Sequence, residues 1–204
     1  MPDTAADTIV ALTPQTWDLF ADLVERQGGL FSGCWCTWFH PPCEGRGETS
    51  EGNRVIKRMW VDQGVAHAAL VVRDGQAIAW AEYGTPEELP SIHHRKQYDA
   101  TQPADVPPPD WRITCIQVEK VHRKQGLAEV ALRGALDLIA EAGGGVVEGY
   151  PHDLTAKNAA GRKTSASWLY NGTRSLYERV GFTYDRPKGL GNCVMRLAVT
   201  RTSS

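Results

Sequence analysis

The segment from 111 to 145 combines a strand, a glycine-containing turn and a helix, and it constrains the fold more than any other part of the chain. An apolar run that includes Ile113, Cys115 or Ile116, and Val118 ends at Glu119, and Arg123-Lys124-Gln125-Gly126-Leu127-Ala128 follows it. Behind the glycine, apolar residues recur at helical spacing. They are Leu127, Val130, Ala131, Leu138 and Ile139. The sequence therefore predicts a strand-to-helix turn at Gly126.

This turn has the properties of an anion-binding site. The first N–H groups of a helix lack intrahelical partners, and the positive end of the helix dipole lies there. Gly126 and Ala128 are small, so phosphate groups could approach the backbone closely. Taken alone, the turn is as well explained by an ordinary helix start with Arg123 and Lys124 solvated, because only three positions define the motif.

A second motif follows closer to the C-terminus. The residues from Thr173 to Arg179 predict a short helix with Leu176 and Val180 facing inward. Gly181 is then a natural left-handed stop before a strand that starts at Phe182.

The two motifs together resemble the GNAT superfamily of N-acetyltransferases, over most of the chain. The family's pyrophosphate motif, Gln/Arg-x-x-Gly-x-Gly/Ala, is similar at Arg123, Gly126 and Ala128. The family's later helix, with a tyrosine before Gly-Phe, is similar at Tyr177 and Gly181-Phe182. The resemblance implies an α/β (α+β) fold, in which a twisted, mixed and mostly antiparallel sheet of six to seven strands is flanked by helices.

The resemblance also implies an activity, the transfer of an acetyl group from acetyl-coenzyme A (acetyl-CoA) to a primary amine by direct attack. The acceptor would be a small molecule or a peptide, and Tyr177 would protonate the departing sulfur. Many family members place an asparagine seven residues before that tyrosine; here Tyr170 occupies the position and Asn171 follows it. The implied cofactor-binding residues are Ile116, Gln117, Val118, Arg123, Lys124, Gln125, Gly126, Leu127, Ala128 and Asn171.

Acyl transfer also needs a group that takes a proton from the amine. Glu82 is the first candidate, because the centre of the sheet opens onto the acceptor in this fold. His93, His94 and His152 have a suitable intrinsic pKa but lie in predicted loops, and they rank second. Tyr177 and Glu82 are thus the predicted catalytic residues. The alternatives are a packing role for Tyr177 and a surface ion pair for Glu82.

A cysteine-rich loop raises the question of a metal site. Sulfur and imidazole are zinc ligands, but the spacing lacks the two-residue gap of a zinc knuckle and aromatic residues interleave the ligands. The sequence favours a buried aromatic loop without metal, and zinc stays as an alternative. The candidate ligands are Cys34, Cys36, His40 and Cys43, and the aromatic residues that either wall the acceptor site or pack in the core are Phe31, Trp35 and Trp38.

Composition narrows the class of protein further. With 204 residues, 42% hydrophobic residues and a net charge of -2, the chain predicts one domain over 1–204 and lacks the basic footprint of a nucleic-acid binder. It has no apolar stretch of about 20 residues and no recognisable signal peptide, which predicts a cytoplasmic protein without a membrane span. Its five cysteines are expected to be thiols. A homodimer and a noncatalytic acyl-CoA sensor or partner-docking domain stay open.

The remaining pattern predicts the other elements. Six of the twelve prolines fall between 85 and 110, which predicts an insertion with little regular structure. Asp74-Gly75 predicts a hairpin turn. The further predicted strands are 8–12, 68–72, 77–83, 146–150, 182–184 and 193–199. One predicted helix begins at Thr13-Pro14 and buries Trp17, Phe20, Leu23 and Val24, and a second runs through Val55, Ile56, Met59 and Trp60.

Overall fold

A computed structural model describes residues 6–28, 33–155, 169–189 and 191–202. Seven strands form one sheet in the order β1-β2-β3-β4-β5-β7-β6. Among these seven described strands, only β4 and β5 pair in parallel. The predicted fold, a mixed and mostly antiparallel sheet flanked by helices, is confirmed. The strands are β1 Thr8–Ala11, β2 His67–Arg73, β3 Gln76–Gly84, β4 Trp111–Val118, β5 Gly145–Gly149, β6 Thr183–Pro187 and β7 Cys193–Val199; the helices are α1 Trp17–Arg26, α2 Ser50–Asp62, α3 Arg95–Thr101, α4 Leu127–Glu141 and α5 Arg174–Val180.

Local turn chemistry determines several of these boundaries. Asp74 and Gly75 both adopt positive φ, 52° and 76°, as the tight turn between β2 and β3 requires. Gly181 ends α5 in the left-handed region, with φ at 107°. Thr173 caps the start of the same helix, because its hydroxyl accepts a hydrogen bond from the Leu176 N–H.

Helix α1 starts later than its sequence predicts. The Thr13-Pro14 signal predicts a helix start there, whereas the helix begins at Trp17. The hydroxyls of Thr13 and Thr16 bond each other at 3.2 Å, and Thr16 also donates to the Ala11 carbonyl. These bonds hold a separate turn ahead of the helix. The predicted inward face is nevertheless buried, and it comprises Trp17, Phe20, Leu23 and Val24.

Helix α2 turns polar residues inward. Asn53 and Lys57 are buried, while Val55 and Met59 on the opposite face are 58% and 42% exposed. A helix held by apolar packing alone would show the reverse arrangement. The buried polar face therefore points to a network on this side of the sheet.

The proline-rich segment contains a helix that its sequence does not predict. Helix α3 occupies Arg95–Thr101 and begins after His94, whose φ is 56°. An i,i+4 ion pair between Arg95 and Asp99 at 2.8 Å supports it. Tyr98, in this helix, is buried and donates a hydrogen bond to Glu148 at 2.8 Å. Tertiary anchoring therefore stabilises a segment whose composition predicts a loop.

The central feature of the sheet is the separation of β4 from β5. These strands pair only from Trp111–Val147 to Ile113–Gly149. Further along β4, the Ile116 N–H donates instead to the Tyr170 carbonyl at 2.6 Å. The two strands thus part in the middle of the sheet, and the segment from 169 to 172 lies at the opening.

The two faces of the sheet carry separate cores. Helices α4 and α5 cover one face, where Leu132, Ile139 and Tyr177 are buried. Helices α1 and α2 cover the other, where Phe20 and Trp80 are buried. Within the described residues, no helix has the length and apolarity needed to cross a membrane.

Candidate active site

A pocket of about 320 Å³ lies where β4 ends and α4 begins, on the face covered by α4 and α5. We call it the α4 pocket. Residues of both sequence motifs line it, so the two motifs meet in space, and eight of the ten predicted cofactor-binding residues are among them. These eight are Ile116, Gln117, Val118, Arg123, Lys124, Gly126, Leu127 and Ala128, and the additional lining residues are Glu129, Leu169, Tyr170, Gly172, Thr173, Leu176 and Arg179.

The mouth of this pocket is made of backbone amides. Gly126 is the N-cap of α4 with φ at 80°, and a Cβ added there would meet nothing within 4 Å. Among the described residues, the N–H groups of Gly126, Leu127 and Ala128 have no acceptor. The first N–H of α4 with a partner is that of Glu129, which donates to the Gly126 carbonyl at 2.8 Å. Open space and unpaired donors together suit an anion.

Cationic side chains surround these amides. Arg123 and Lys124 line the pocket directly. Glu129 carries the opposite charge, but Arg133 and Arg179 bind it at 2.9 and 3.0 Å. Hydrogen bonds from these two arginines lower the pKa of Glu129. The two arginines therefore neutralise the negative charge of Glu129 at the mouth of the α4 pocket.

Strand β4 presents backbone groups to the opening. Hydrogen-bonding groups alternate between the two edges of a strand, and Glu119 donates towards β3. The groups of Ile116 and Val118 therefore face the opening, although the Ile116 N–H is bonded to Tyr170.

Tyr177 lies in the core next to the α4 pocket. Its side chain is fully buried, and its hydroxyl has no hydrogen-bond partner among the described residues. The ring packs so closely that a Cβ on Gly149 or Gly172 would lie 2.0 or 3.2 Å from it. Burial raises the pKa of Tyr177 well above its ordinary value. The hydroxyl is therefore protonated, and no group among the described residues accepts a hydrogen bond from it.

The other two predicted cofactor-binding residues occupy different positions. Gln125 is not among the described lining residues, and its side-chain carbonyl accepts a hydrogen bond from Arg73 at 3.0 Å. Asn171 also lies outside the described lining, between Tyr170 and Gly172, which are part of it. The Asn171 side chain is buried, and its oxygen has no partner within the described part of the chain.

A second pocket of about 300 Å³ lies on the α1 and α2 face. We call it the thiol pocket, because three cysteines line it. Tyr170 lines both pockets, so they meet where β4 leaves β5. The lining residues of the thiol pocket are Cys34, Cys36, Thr37, Trp38, Phe39, Arg46, Gly47, Asn53, His93, Cys115 and Tyr170. Of these, the sequence singles out Cys34, Cys36, Trp38 and His93; the others come together only through the fold.

The thiols and rings of this pocket are closely packed. The sulfurs of Cys36 and Cys115 lie 3.3 Å apart, and the hydrogen bond to Cys115, together with burial, raises the pKa of the Cys36 thiol. The rings of Trp38 and His93 stack with their centroids 3.8 Å apart. Burial, followed by the positive charge of Lys188, lowers the pKa of His93 to about 4. His93 is therefore a neutral imidazole at neutral pH.

Glu82 belongs to a buried charge network. Lys57 donates to one carboxylate oxygen at 2.6 Å and the Thr114 hydroxyl to the other at 2.7 Å. His40 lies 3.0 Å from the Lys57 amine and 3.5 Å from the carboxylate. Burial alone would raise the pKa of Glu82, but the charge of Lys57 and the hydrogen bonds from His40 and Lys57 outweigh it and lower the pKa to about 2. Glu82 is not among the described residues that line either pocket.

The four candidate zinc ligands do not converge on one point: Cys34 and Cys36 line the thiol pocket together, whereas the other two lie elsewhere. His40 faces Lys57, Cys36 faces Cys115, and Cys43 is exposed. Across the described ranges, no group of three or more His, Cys, Asp or Glu side chains could hold a metal ion. Trp35 packs in the core against Trp17, with ring centroids 6.1 Å apart. Phe31 lies outside the described residues.

The other histidines differ in position. His94 starts α3 at the surface. His152 lies against the ring of Tyr170, with centroids 5.9 Å apart. Only His93 of the three lines the thiol pocket.

Solved structures share this fold. A protein from Desulfovibrio desulfuricans, assigned to the acetyltransferases of the GNAT family, superposes with a TM-score of 0.53 at 16% identity, over 96% of this chain and 100% of that one. A protein from Salmonella typhimurium, assigned as an acetyltransferase and solved with acetyl-CoA, gives 0.53 at 15% identity, over 98% and 97%. The ribosomal-protein-S18-alanine N-acetyltransferase of Escherichia coli gives 0.50 at 16% identity, over 97% of each chain.

No protein-family model and no curated protein matches the sequence. At these identities, the similarity establishes the architecture. The chain has the fold of the GNAT acetyltransferases.

Proposed function

We propose that this protein is an N-acetyltransferase that transfers an acetyl group from acetyl-CoA to a primary amine. One observation carries the proposal. The α4 pocket and the thiol pocket lie on opposite faces of the sheet and meet at Tyr170, where β4 leaves β5. This arrangement lets an acyl donor enter from one face and an acceptor from the other. The related fold of the Salmonella typhimurium protein, solved with acetyl-CoA, supports the choice of donor.

The residues of the α4 pocket fit acetyl-CoA. The amides from Gly126 to Ala128, which lack acceptors in the described ranges, would bind the pyrophosphate, and Arg123 and Lys124 would add positive charge. The backbone of Ile116 and Val118 would align the pantetheine arm. For Ile116 this requires that the hydrogen bond from its N–H to the Tyr170 carbonyl breaks. Acetyl-CoA supplies the activated acetyl group.

Two side chains would handle protons. The buried hydroxyl of Tyr177, which has no partner among the described residues, would donate a proton to the departing sulfur. His93 would accept a proton from the amine, because it is neutral and lines the thiol pocket. With a pKa of about 4 it is a weak base, so its contribution lies near the low end of general-base effects, about 100-fold. Glu82 would not take the proton from the amine itself, because its carboxylate is already bonded to Lys57 and Thr114. Its role would be indirect, as a member of the buried charge network.

Calorimetry with acetyl-CoA and a thiol-release assay across an amine panel test the proposal. We expect micromolar binding together with turnover on at least one primary amine. Glu82 is buried and therefore cannot serve as an accessible base. This favours a second candidate function, a noncatalytic acyl-CoA sensor. Binding without release of free thiol on any amine would support that candidate, and the absence of binding would contradict both.

A further inference from the structure

We propose that the thiol pocket accepts a small aromatic primary amine that also carries a carboxylate, as a free aromatic amino acid does. This inference rests on the proposed function, because it names the acceptor class of the same site. It follows from the size of the pocket, its aromatic and sulfur surface, and its charge.

The size of the pocket selects a small molecule. Ligand sites span roughly 300 to 1,000 Å³, and the thiol pocket at about 300 Å³ lies at the lower end of that range. Because Tyr170 joins it to the α4 pocket, a bound amine would lie next to the acyl donor.

The surface of the pocket suits a flat aromatic body. Trp38, 40% exposed at the rim, stacks on His93, and Phe39 packs edge-on against Trp38 with centroids 4.9 Å apart. The thiols of Cys36 and Cys115 provide a polarisable surface. Aromatic rings gain energy both from offset or edge-on contact with other rings and from contact with sulfur.

The charge of the pocket selects an anion in addition to the amine. Among the described lining residues, Arg46 carries a permanent positive charge and none is a carboxylate. The Arg46 Nη1 donates to the carbonyls of Trp38, at 3.2 Å, and His40. Its Nε and Nη2 have no hydrogen-bond partner within the described residues, and Arg46 forms no ion pair there. A guanidinium with two free donors matches a carboxylate, whereas a polyamine would be repelled.

The reaction would be a simple acyl exchange. The neutral amine nitrogen forms a bond to the acetyl carbon, and the bond between that carbon and sulfur breaks. The proton lost by the nitrogen goes to His93, and Tyr177 gives its proton to the departing sulfur, which leaves as free thiol; transfer of the proton from His93 to Tyr177 through solvent restores both groups. The products are the N-acetyl amino acid and coenzyme A, without an oxidant or a metal.

Matched acceptor pairs provide the test. Thiol release is measured with phenylalanine against phenethylamine, tryptophan against tryptamine, and spermidine as a polycation. We expect kcat/KM of the wild type for each acid-bearing amine to exceed that for its decarboxylated partner by about 10- to 100-fold, as one charge-assisted hydrogen-bond pair provides. Equal values within both pairs, or spermidine as the best acceptor, would overturn the inference but leave acetyl transfer itself in place.

Two variants locate the effect at Arg46. Arg46→Met should raise KM for phenylalanine by about 10- to 100-fold more than it raises KM for phenethylamine, because only phenylalanine has a carboxylate for the guanidinium to bind. Arg46 also donates to the carbonyls of Thr37, Trp38 and His40, so the constants for phenethylamine report any change in the shape of this segment. Arg46→Lys should restore part of the affinity, because it keeps the charge. An equal loss for both amines would contradict a role in carboxylate recognition.

Direct binding separates this inference from the proposed function. Phenylalanine is titrated calorimetrically into the wild type and Arg46→Met, each saturated with coenzyme A. Heat that depends on Arg46 supports the acceptor class even if no amine is acetylated. The absence of phenylalanine binding and turnover, in a protein that acetylates other amines, contradicts it.

Discussion

At the scale of single residues, burial decides what the candidate catalytic groups can do. The sequence identifies Tyr177 and Glu82 as polar groups on core elements, but not their partners. Within the part of the chain that the structure describes, the Tyr177 hydroxyl has no acceptor, because its ring is enclosed between Gly149 and Gly172. Glu82 has both oxygens bonded, because Lys57 comes from a helix whose apolar pattern predicts a different inward face. Such pairings depend on segments far apart in the chain.

Tyr177→Phe removes only the hydroxyl. We expect unchanged affinity for acetyl-CoA by calorimetry and a fall in kcat of about 10-fold or more, because the departing sulfur loses its proton donor. The free energy of unfolding should stay the same or rise by about 1 kcal/mol, since an unsatisfied buried hydroxyl is removed. A variant with wild-type kcat would leave Tyr177 with a packing role.

Glu82→Gln tests the buried charge network. Without the carboxylate, the Lys57 ammonium is left buried and unpaired, which costs about 3–5 kcal/mol of unfolding free energy. Urea denaturation measures the loss. The matched control is the double variant Lys57→Met/Glu82→Leu, which removes both charges and should regain much of the stability. Equal losses in the single and double variants would show that the ion pair is not the cause.

The same residue predicts a response to acid. The pKa of Glu82 is about 2 in the folded protein against an ordinary value of 4.5, so the unfolded chain binds the proton more readily. The stabilisation is therefore complete above about pH 4.5 and disappears as the pH falls towards 2. We expect unfolding free energies of the wild type and of Lys57→Met/Glu82→Leu, measured between pH 2 and 6, to differ in slope below pH 4.5. Parallel curves would contradict the assigned pKa.

At the scale of elements, the sequence predicts those helices and turns that depend only on neighbouring residues. The Asp74-Gly75 turn, the Gly181 stop and the amphipathic pattern of α4 are all confirmed, because each depends on residues within a few positions. The start of α1 and the existence of α3 are not predictable in this way. A pair of threonine hydroxyls delays α1, and the burial of Tyr98 against Glu148 anchors α3.

Gly126→Glu tests the N-terminus of α4 as the anion site. The new side chain would project into the open space at the amides and carry negative charge, so acetyl-CoA affinity should fall at least about 100-fold in calorimetry. The control is Gly64→Glu, at the end of α2, where φ is 71° and the space is also open. It reproduces the backbone strain without touching the pocket. An equal effect of both variants on acetyl-CoA binding would contradict the assignment of the anion site to the N-terminus of α4.

At the scale of the whole molecule, the separation of β4 from β5 organises both pockets. The sequence predicts the α4 pocket, because its amides and its strand are neighbours in the chain. It does not predict the thiol pocket as a whole: Trp38 is expected either at the acceptor site or in the core, while the pocket collects residues from 34 to 53, His93, Cys115 and Tyr170. We infer that the chain folds as one domain, because one sheet runs under both pockets.

Lys188 links two of these distant segments and makes the stability of the molecule depend on pH. Its side chain is fully buried, and its amine donates to the His93 carbonyl at 2.6 Å. Burial lowers the pKa of Lys188 from 10.5 to about 8. Between these values the unfolded chain holds the proton and the folded protein does not, so folding becomes more favourable as the pH rises.

Lys188→Met should remove that dependence. We expect the wild type to gain unfolding free energy relative to Lys188→Met as the pH rises from 8 to 10.5, at up to about 1.4 kcal/mol per pH unit for one proton. Urea denaturation at several pH values measures the difference, and the subtraction cancels the other groups that titrate there. At pH 7 the variant is spared the cost of a buried charge and loses one hydrogen bond, so its stability relative to the wild type is higher than at pH 10.5. A constant difference across this range would mean that Lys188 reaches solvent in the folded protein.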